Sequence, residues 1–450
     1  MKFLIRTYGC QMNVRDSESA AALLLRHGYT EAADEDSADL LIVNSCSVRG
    51  KAEAKALGKL GLLAAGKRDF PGRIVGATGC MVQRLQRRLF EKVPGLDFAV
   101  GTRRLGALPA LIERVLAGQG PVLDVAESDH PGDGLAGHVA GGVTAFVNIL
   151  FGCDRFCAYC IVPYVRGREF SRPALEIVEE VRRLAGEGVK EVTLLGQSVM
   201  SYGRGNAVWP EEYRSPLGFE EPLPRLLEAV GAVEGIKRVR FTSGHPTGCT
   251  GEIARVMREV GAVCEHLHLP LQSGVDRILD LMRRGYTTAD YRAAVQRLRA
   301  SVPSLALTTD LIVGFPTETE EECAATARFC EEMAFDNAFI FKYSPRPGTA
   351  AAEWKDDVAP DTKMQRNRMI LAAQDDRAVR IHKELVGRSV EVLVEGESLR
   401  DAARWSGRTR TNKIVIFAPV PGVKPGDLVP IRIERARAQA LYGTVEGGVA

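Results

Sequence analysis

Short apolar runs alternate with helical periodicity through the first third of the chain. KFLIRTYG, ADLLIVNSC and GRIVGATGC each read as a β-strand that ends in small residues. Between them lie DSESAAALLLRHG and GKAEAKALGKLGLLAAGKR, whose apolar positions recur at helical spacing. This alternation predicts a parallel α/β sheet, with its ligand crevice beyond the carboxyl ends of the strands. The Gly-, Asp- and His-rich stretch SDHPGDGLAGHVAGG (128–142) breaks the pattern and predicts a linker or exposed loop. A second β–α series then begins. Its candidate strands are TAFVNILFG (144–152), EVTLLGQ (191–197), RVRFTS (238–243), HLHLPLQ (266–272), ALTTDLIVG (306–314) and NAFIFKYS (337–344). Helical segments such as PALEIVEEVRRLAGEG and TADYRAAVQRLRASV separate them. That series predicts a partial or complete α/β barrel, whose functional groups sit on the loops after the strands.

The tail reads differently. A long charged helix, DTKMQRNRMILAAQDDRAVRIHKELVG, precedes the short runs SVEVLVEG, NKIVIFA, DLVPIRIERA and ALYGTV, which Gly and Pro separate. These runs predict a small antiparallel barrel of OB-like type. The expected organisation is an N-terminal α/β domain over 1–117, a linker over 118–138, a (β/α)6 core over 139–371 and the small barrel over 374–446.

Composition narrows this little. The chain has 450 residues, 45% of them apolar, which is enough for ordinary cores. A net charge of +2 names no partner. No apolar run approaches the ~18 residues of a membrane span, and MKFLIRTYGC does not read as a secretory signal. The expected compartment is the cytoplasm, where clustered cysteines serve as metal ligands or redox groups more often than as disulfides.

The ten cysteines divide into two sets and a remainder. Cys153, Cys157 and Cys160 form C-x3-C-x2-C in the loop after the first strand of the second series. Three thiolates so close can hold three corners of one metal site, and the absent fourth ligand leaves a position for substrate or a small molecule. Cys10, Cys46 and Cys80 lie far apart in sequence, but each follows a β-run, in the turns YGCQMN, NSCSVR and TGCMVQ. In a parallel sheet they converge, so they form a candidate second three-cysteine site; the competing reading is three buried core cysteines. Asn13, Asn44 and Gln83 stand nearby as hydrogen-bond donors or simple caps. Cys249, Cys264, Cys323 and Cys330 lack such a pattern and read as core.

The loop GCDRFCAYCIVPYVRGRE, with Tyr159 before its last cysteine, resembles the radical S-adenosylmethionine (SAM) superfamily. Together with YGCQMN, NSCSVR, LLGQSV, FTSGHP, HLPLQSG, TDLIVGFPTET and YSPRPGTAA it resembles the methylthiotransferases, over nearly the whole chain and in the same order. The motifs are nearest to the branch that acts on an isopentenylated adenosine of tRNA; SGHP departs from that branch's SHP by one Gly. The resemblance implies two [4Fe-4S] clusters, one on Cys153, Cys157 and Cys160 and an auxiliary one on Cys10, Cys46 and Cys80. It implies two SAM per turnover, one giving a methyl group to sulfur and one a 5′-deoxyadenosyl radical. The expected substrate is the adenosine 3′ of the anticodon, in the anticodon stem-loop of tRNA, and the tail resembles a TRAM domain that binds RNA. An electron donor such as a flavodoxin or ferredoxin is implied, with the enzyme a monomer; the sulfur source is not legible.

Around the SAM site the expected contacts are Tyr159 against adenine, Arg166 and Arg168 with the SAM carboxylate or RNA phosphate, Gln197 with SAM, and Gly314 for close approach of adenine. His268 and Gln272 flank either a pocket or a satisfied core, and Asp310 points into the barrel. In the tail Arg404, Arg408, Arg410 and Lys413 suit phosphate, with Trp405 and Phe417 as stacking groups. Two alternatives stay open: methylthiolation of threonylcarbamoyladenosine or of a ribosomal-protein aspartate, and a zinc-dependent RNA-binding protein without catalysis.

Overall fold

The computed structural model describes residues 1–127, 137–139 and 141–446. The first β–α alternation forms one six-stranded parallel sheet. Its strands are β1 (Lys2–Tyr8), β2 (Thr30–Glu31), β3 (Leu40–Ser45), β4 (Ile74–Thr78), β5 (Phe98–Val100) and β6 (Val122–Asp124), in the order β2-β1-β3-β4-β5-β6. Helices α1 (Gln11–Arg26), α2 (Gly50–Gly66) and α3 (Cys80–Leu85) follow β1, β3 and β4. Every residue of β3 is buried, as expected of a central parallel strand covered on both faces. Leu41 and Val43 join one apolar cluster, Leu40 and Ile42 the other. Strands β5 and β6 were not expected: three residues each are too few for a periodic signal, and their neighbours in the sheet define them. The sheet therefore runs on to Asp124, past residue 117. Of the expected linker, residues 128–136 lie outside the described residues.

The second series forms a partial barrel. Strands β7 (Thr144–Asn148), β8 (Leu150–Phe151), β9 (Phe170–Ser171), β10 (Glu191–Leu195), β11 (Arg238–Phe241), β12 (His266–His268), β13 (Ala306–Val313) and β14 (Asn337–Lys342) follow in chain order. β7, β10 and β11 form one parallel sheet, β12, β13 and β14 another. A parallel bridge between Val239 and Val263, with Cys264 N–H donating to the Val239 carbonyl at 3.0 Å, joins the two sheets edge to edge. One large apolar core runs between these strands and their helices, and it takes in Cys249, Cys323 and Cys330. Cys264 is buried as well. Burial pushes these four thiols up to about 11 or 12, which suits inert core residues. β8 and β9 form a small antiparallel ribbon, Leu150 opposite Ser171 and Phe151 opposite Phe170.

The tail is a closed five-stranded barrel of β15 (Ser389–Ser398), β16 (Asp401–Thr409), β17 (Ile414–Phe417), β18 (Leu428–Ala436) and β19 (Leu441–Val445). β17 and β19 pair in parallel and the other neighbours are antiparallel. Its basic loop docks against the amino ends of the central strands. Arg238 and Arg240 donate to the carbonyls of Arg408 and Arg410 at 2.5 and 2.6 Å. Arg410 pairs with Glu265 at 2.8 Å, and Lys413 with Asp336 at 2.6 Å. The small barrel thus sits at the end of the core opposite the carboxyl ends of its strands, on the order of 25 Å away for an eight-residue strand such as β13.

Candidate functional site: two cysteine sets across one interface

The β8–β9 ribbon closes the loop that carries Cys153, Cys157 and Cys160. Gly152 has φ +73°, and a Cβ there would fall 2.0 Å from the Arg168 carbonyl oxygen, so only glycine fits. Cys153 N–H donates to the Gly167 carbonyl at 3.1 Å, and Cys160 N–H to the Cys157 carbonyl at 2.9 Å. Arg284 Nη1 donates to Cys157 Sγ at 3.2 Å. Burial pushes the Cys153 thiol up to about 11 and that of Cys160 up to about 12. Without a counter-charge these are thiols; a bound cation would reverse that order. Beside them, Asn148 Oδ1, Arg155 Nη2 and both amide atoms of Gln197 are buried with no hydrogen-bond partner. Arg155 Nε reaches Oγ of Ser198, the residue after Gln197, at 3.2 Å. Buried polar atoms are nearly always satisfied, so this group fits a polar ligand such as SAM.

The other three cysteines sit where adjacent strands end. β1, β3 and β4 are neighbours in register, with Tyr8 opposite Ser45 and Asn44 opposite Thr78. Cys46 N–H donates to the Tyr8 carbonyl at 2.9 Å. Cys10 caps α1 and Cys80 opens α3. The glycine before each is needed: a Cβ on Gly9 would strike the Asn13 side chain, and one on Gly79, at φ +95°, would lie 2.3 Å from Asn44 Oδ1. Asn13 Oδ1 accepts from Cys10 Sγ at 3.4 Å, and Asn13 Nδ2 donates to Asn44 Oδ1 at 3.1 Å. Asn13 therefore touches sulfur and Asn44 holds Asn13, whereas Gln83 turns away to donate to the Val125 carbonyl. A hydrogen bond between Cys10 and Cys46 lowers the pKa of the first and raises that of the second, and burial raises Cys80.

The two sets meet through the short helix Val162–Arg166, which begins two residues after Cys160. Ile161 and Val165 pack directly on Cys80. Thr102 Oγ1 donates to the Val165 carbonyl at 2.8 Å, and Arg103 Nε to that of Arg166 at 3.0 Å. Arg166 Nη2 donates to Asp16 Oδ2 at 2.6 Å, with both side chains buried. Among the described residues, no three His, Cys, Asp or Glu side chains converge as ligands of a single ion would. A cubane takes each thiolate on a different iron, so three cysteines per set fit one with an iron left open.

The structure gives the other expected contact residues these neighbours. Arg166 faces Asp16 and the second cysteine set. Arg168 is mostly exposed and pairs with Asp154 at 2.9 Å. Tyr159 packs edge-on against Phe315, ring centres 6.4 Å apart, within an apolar cluster under the loop. Gly314, at φ +68°, is approached by the aliphatic chain of Lys363: a Cβ there would lie 2.3 Å from it. Asp310 does meet His268, at 3.3 Å, and His268 Nδ1 lies 3.0 Å from Thr308 Oγ1. Gln272, at φ +73°, is buried and bridges to Leu311. His245 of SGHP carried no assigned role in the sequence; it is buried, and burial beside Arg155 and Arg284 pushes it down to about 2, so it is neutral. In the tail, Phe417 is core and Trp405 packs against that core. Arg408 pairs with Glu395, and Arg410 and Lys413 serve the docking contacts, which leaves Arg404 exposed.

Comparison with known proteins follows this division. Residues 147–330 match the radical SAM superfamily, 2–101 the uncharacterised protein family UPF0004 and 383–445 the TRAM domain. A tRNA-2-methylthio-N(6)-dimethylallyladenosine synthase from Akkermansia muciniphila is 45% identical, covering 98% of both chains. One from Moorella thermoacetica is 44% identical, covering 99% of this chain and 98% of its own. The chain belongs to this synthase family. In fold it resembles the radical SAM methyltransferase TsrM from Kitasatospora setae, solved with cobalamin and a [4Fe-4S] cluster bound. That likeness has a TM-score of 0.58 at 14% identity, over 78% of this chain and 74% of that one. Among the described residues no helix is long and apolar enough to cross a membrane.

Proposed function

We infer that the chain converts N6-dimethylallyladenosine beside the tRNA anticodon to its 2-methylthio derivative, using SAM and iron–sulfur clusters. The observation that carries this is the packing of Ile161 and Val165 on Cys80, which sets two three-cysteine sites against one another in a member of this family. Cys153, Cys157 and Cys160 would hold one cluster and Cys10, Cys46 and Cys80 the other. When bound, these groups supply the electron for SAM cleavage and the sulfur to be inserted.

The protein's own residues supply position and shelter. Arg284 donates to Cys157 and fixes where its sulfur points. Gln197, Asn148 and Arg155 offer unsatisfied donors and acceptors to SAM. Phe339 stands half exposed, edge-on to His268 at 6.0 Å, and gives a base a stacking surface with a polar edge nearby. The base must leave its stack to enter, which a single-stranded loop permits at low cost. The small barrel grips RNA remote from the reacting base, because it is docked at the opposite end of the core.

Nucleoside analysis of tRNA from a strain lacking the gene is the test. Loss of the methylthio-dimethylallyl nucleoside, with its unmethylthiolated precursor accumulating, is expected. Persistence of that nucleoside while a threonylcarbamoyl nucleoside or a ribosomal protein lost its methylthio group would reassign the substrate.

A further inference from the structure

We propose that Arg166 is a positioning residue of the Cys10–Cys46–Cys80 site: a cation supplied by the core domain and held by Asp16 of the N-terminal domain, which offsets the negative charge of the cluster there. The proposal rests on the reading that these three thiolates carry a cluster. Its first support is placement. Arg166 ends the helix that follows Cys160, yet its guanidinium is buried on the other domain's α1, 2.6 Å from Asp16. Its second support is what surrounds it. Its side chain lies within hydrogen-bonding reach of Cys80 and within electrostatic reach of Cys10, and the residue before it, Val165, packs on Cys80.

Charge makes the arrangement necessary. Three thiolates on a cubane core leave net negative charge, and Cys46 and Cys80 are buried. A buried charge without a partner is expensive. An arginine stays ionised in such a setting, and its five donors let one edge bind Asp16 while another faces the sulfurs. The site is therefore electrostatically complete only when the two domains are docked. Arg346, from the loop after β14, makes a parallel approach: its guanidinium would lie 2.9 Å from a Cβ on Gly50, and it bears on Cys46.

The test uses the full chain with Cys153, Cys157 and Cys160 changed to Ala, so that one site remains, reconstituted with iron and sulfide. Iron per chain is measured, and the ratio of reduced to oxidised cluster is read by electron paramagnetic resonance at one fixed redox poise. Arg166→Gln removes a positive charge and is expected to lower that ratio about tenfold. Arg166→Lys restores most of it. Asp16→Asn leaves the guanidinium less compensated and is expected to shift the ratio the other way. A purely structural role predicts loss of iron from both variants and no opposed shifts. Ratios within twofold of the parent, or shifts of one sign, overturn the proposal. If Arg166→Gln does not fold by circular dichroism, the Lys and Asn variants decide. A parent chain that binds no iron at all overturns the cluster reading itself, an outcome distinct from unmoved ratios in a chain that does bind it.

Discussion

The two cysteine sets are alike in number and opposite in construction. Cys153, Cys157 and Cys160 come from one loop, which a two-residue ribbon closes. Cys10, Cys46 and Cys80 come from three strand ends, and they meet only because β1, β3 and β4 are neighbours in one sheet. A local site needs its loop; an assembled site needs its whole domain, and through Arg166 and Asp16 it needs the next domain too. Damage far from the sulfurs should therefore reach the second site much more readily than the first.

The largest test of this contrast removes a ligand from each. Cys157→Ala and Cys46→Ala should each lower the iron content from about eight atoms to about four. Cys157→Ala should abolish SAM cleavage, whereas Cys46→Ala should retain it and lose sulfur insertion. Full turnover by the Cys46 variant would leave the assembled site without a function. A smaller effect comes from backbone alone. At Gly79, φ +95° and the 2.3 Å approach to Asn44 Oδ1 both exclude a side chain. Gly79→Ala should cost about 3 kcal/mol in a denaturant melt and take iron from the assembled site only. Gly28→Ala, at φ +82° but with nothing within 4 Å, should cost about 1 kcal/mol and no iron. Equal losses in the two variants would show that the crowding around Asn44 is tolerated.

What could be read from the chain follows the same line. β-runs ending in a small residue and Cys announce both the strand and the place where the three cysteines meet, because a parallel sheet brings its carboxyl ends together whatever the sequence distance. Partners across domains carry no such signature. Arg410 and Lys413 stand in a basic run that reads as phosphate contacts, but Glu265 and Asp336, 145 and 77 residues away, pair with them in the fold. Arg166 reads as a partner of the SAM carboxylate or of RNA phosphate, and nothing local indicates Asp16. Phe417 alternates with Val415, which already marks an inward strand face; that period is a stronger guide than the neighbouring charge.

The smallest effect concerns how the assembled site's domain is held. His138 lies between Glu18 of α1 and Glu180 of the core helix Ala174–Gly186, with Nδ1 3.1 Å from one carboxylate and Nε2 2.7 Å from the other. Arg15 of α1 also reaches Glu180 at 3.3 Å, and Arg172 reaches it at 2.7 Å. Burial alone would lower the pKa of His138, but its two carboxylate partners outweigh burial and raise it. Glu180, despite its own burial, is held at about 2 by His138, Arg172 and Arg15, so it stays ionised throughout. A raised histidine contributes stability in full below its unfolded pKa near 6.5 and loses it as pH rises through the folded value. The wild type should therefore exceed His138→Asn in stability by about 1 kcal/mol more at pH 6 than at pH 9. Thermal melts across that range read the difference directly. Parallel curves would mean that the imidazole never charges in the fold, and that the ion pairs Arg15–Glu180 and Asp16–Arg166 clamp α1 to the core without it.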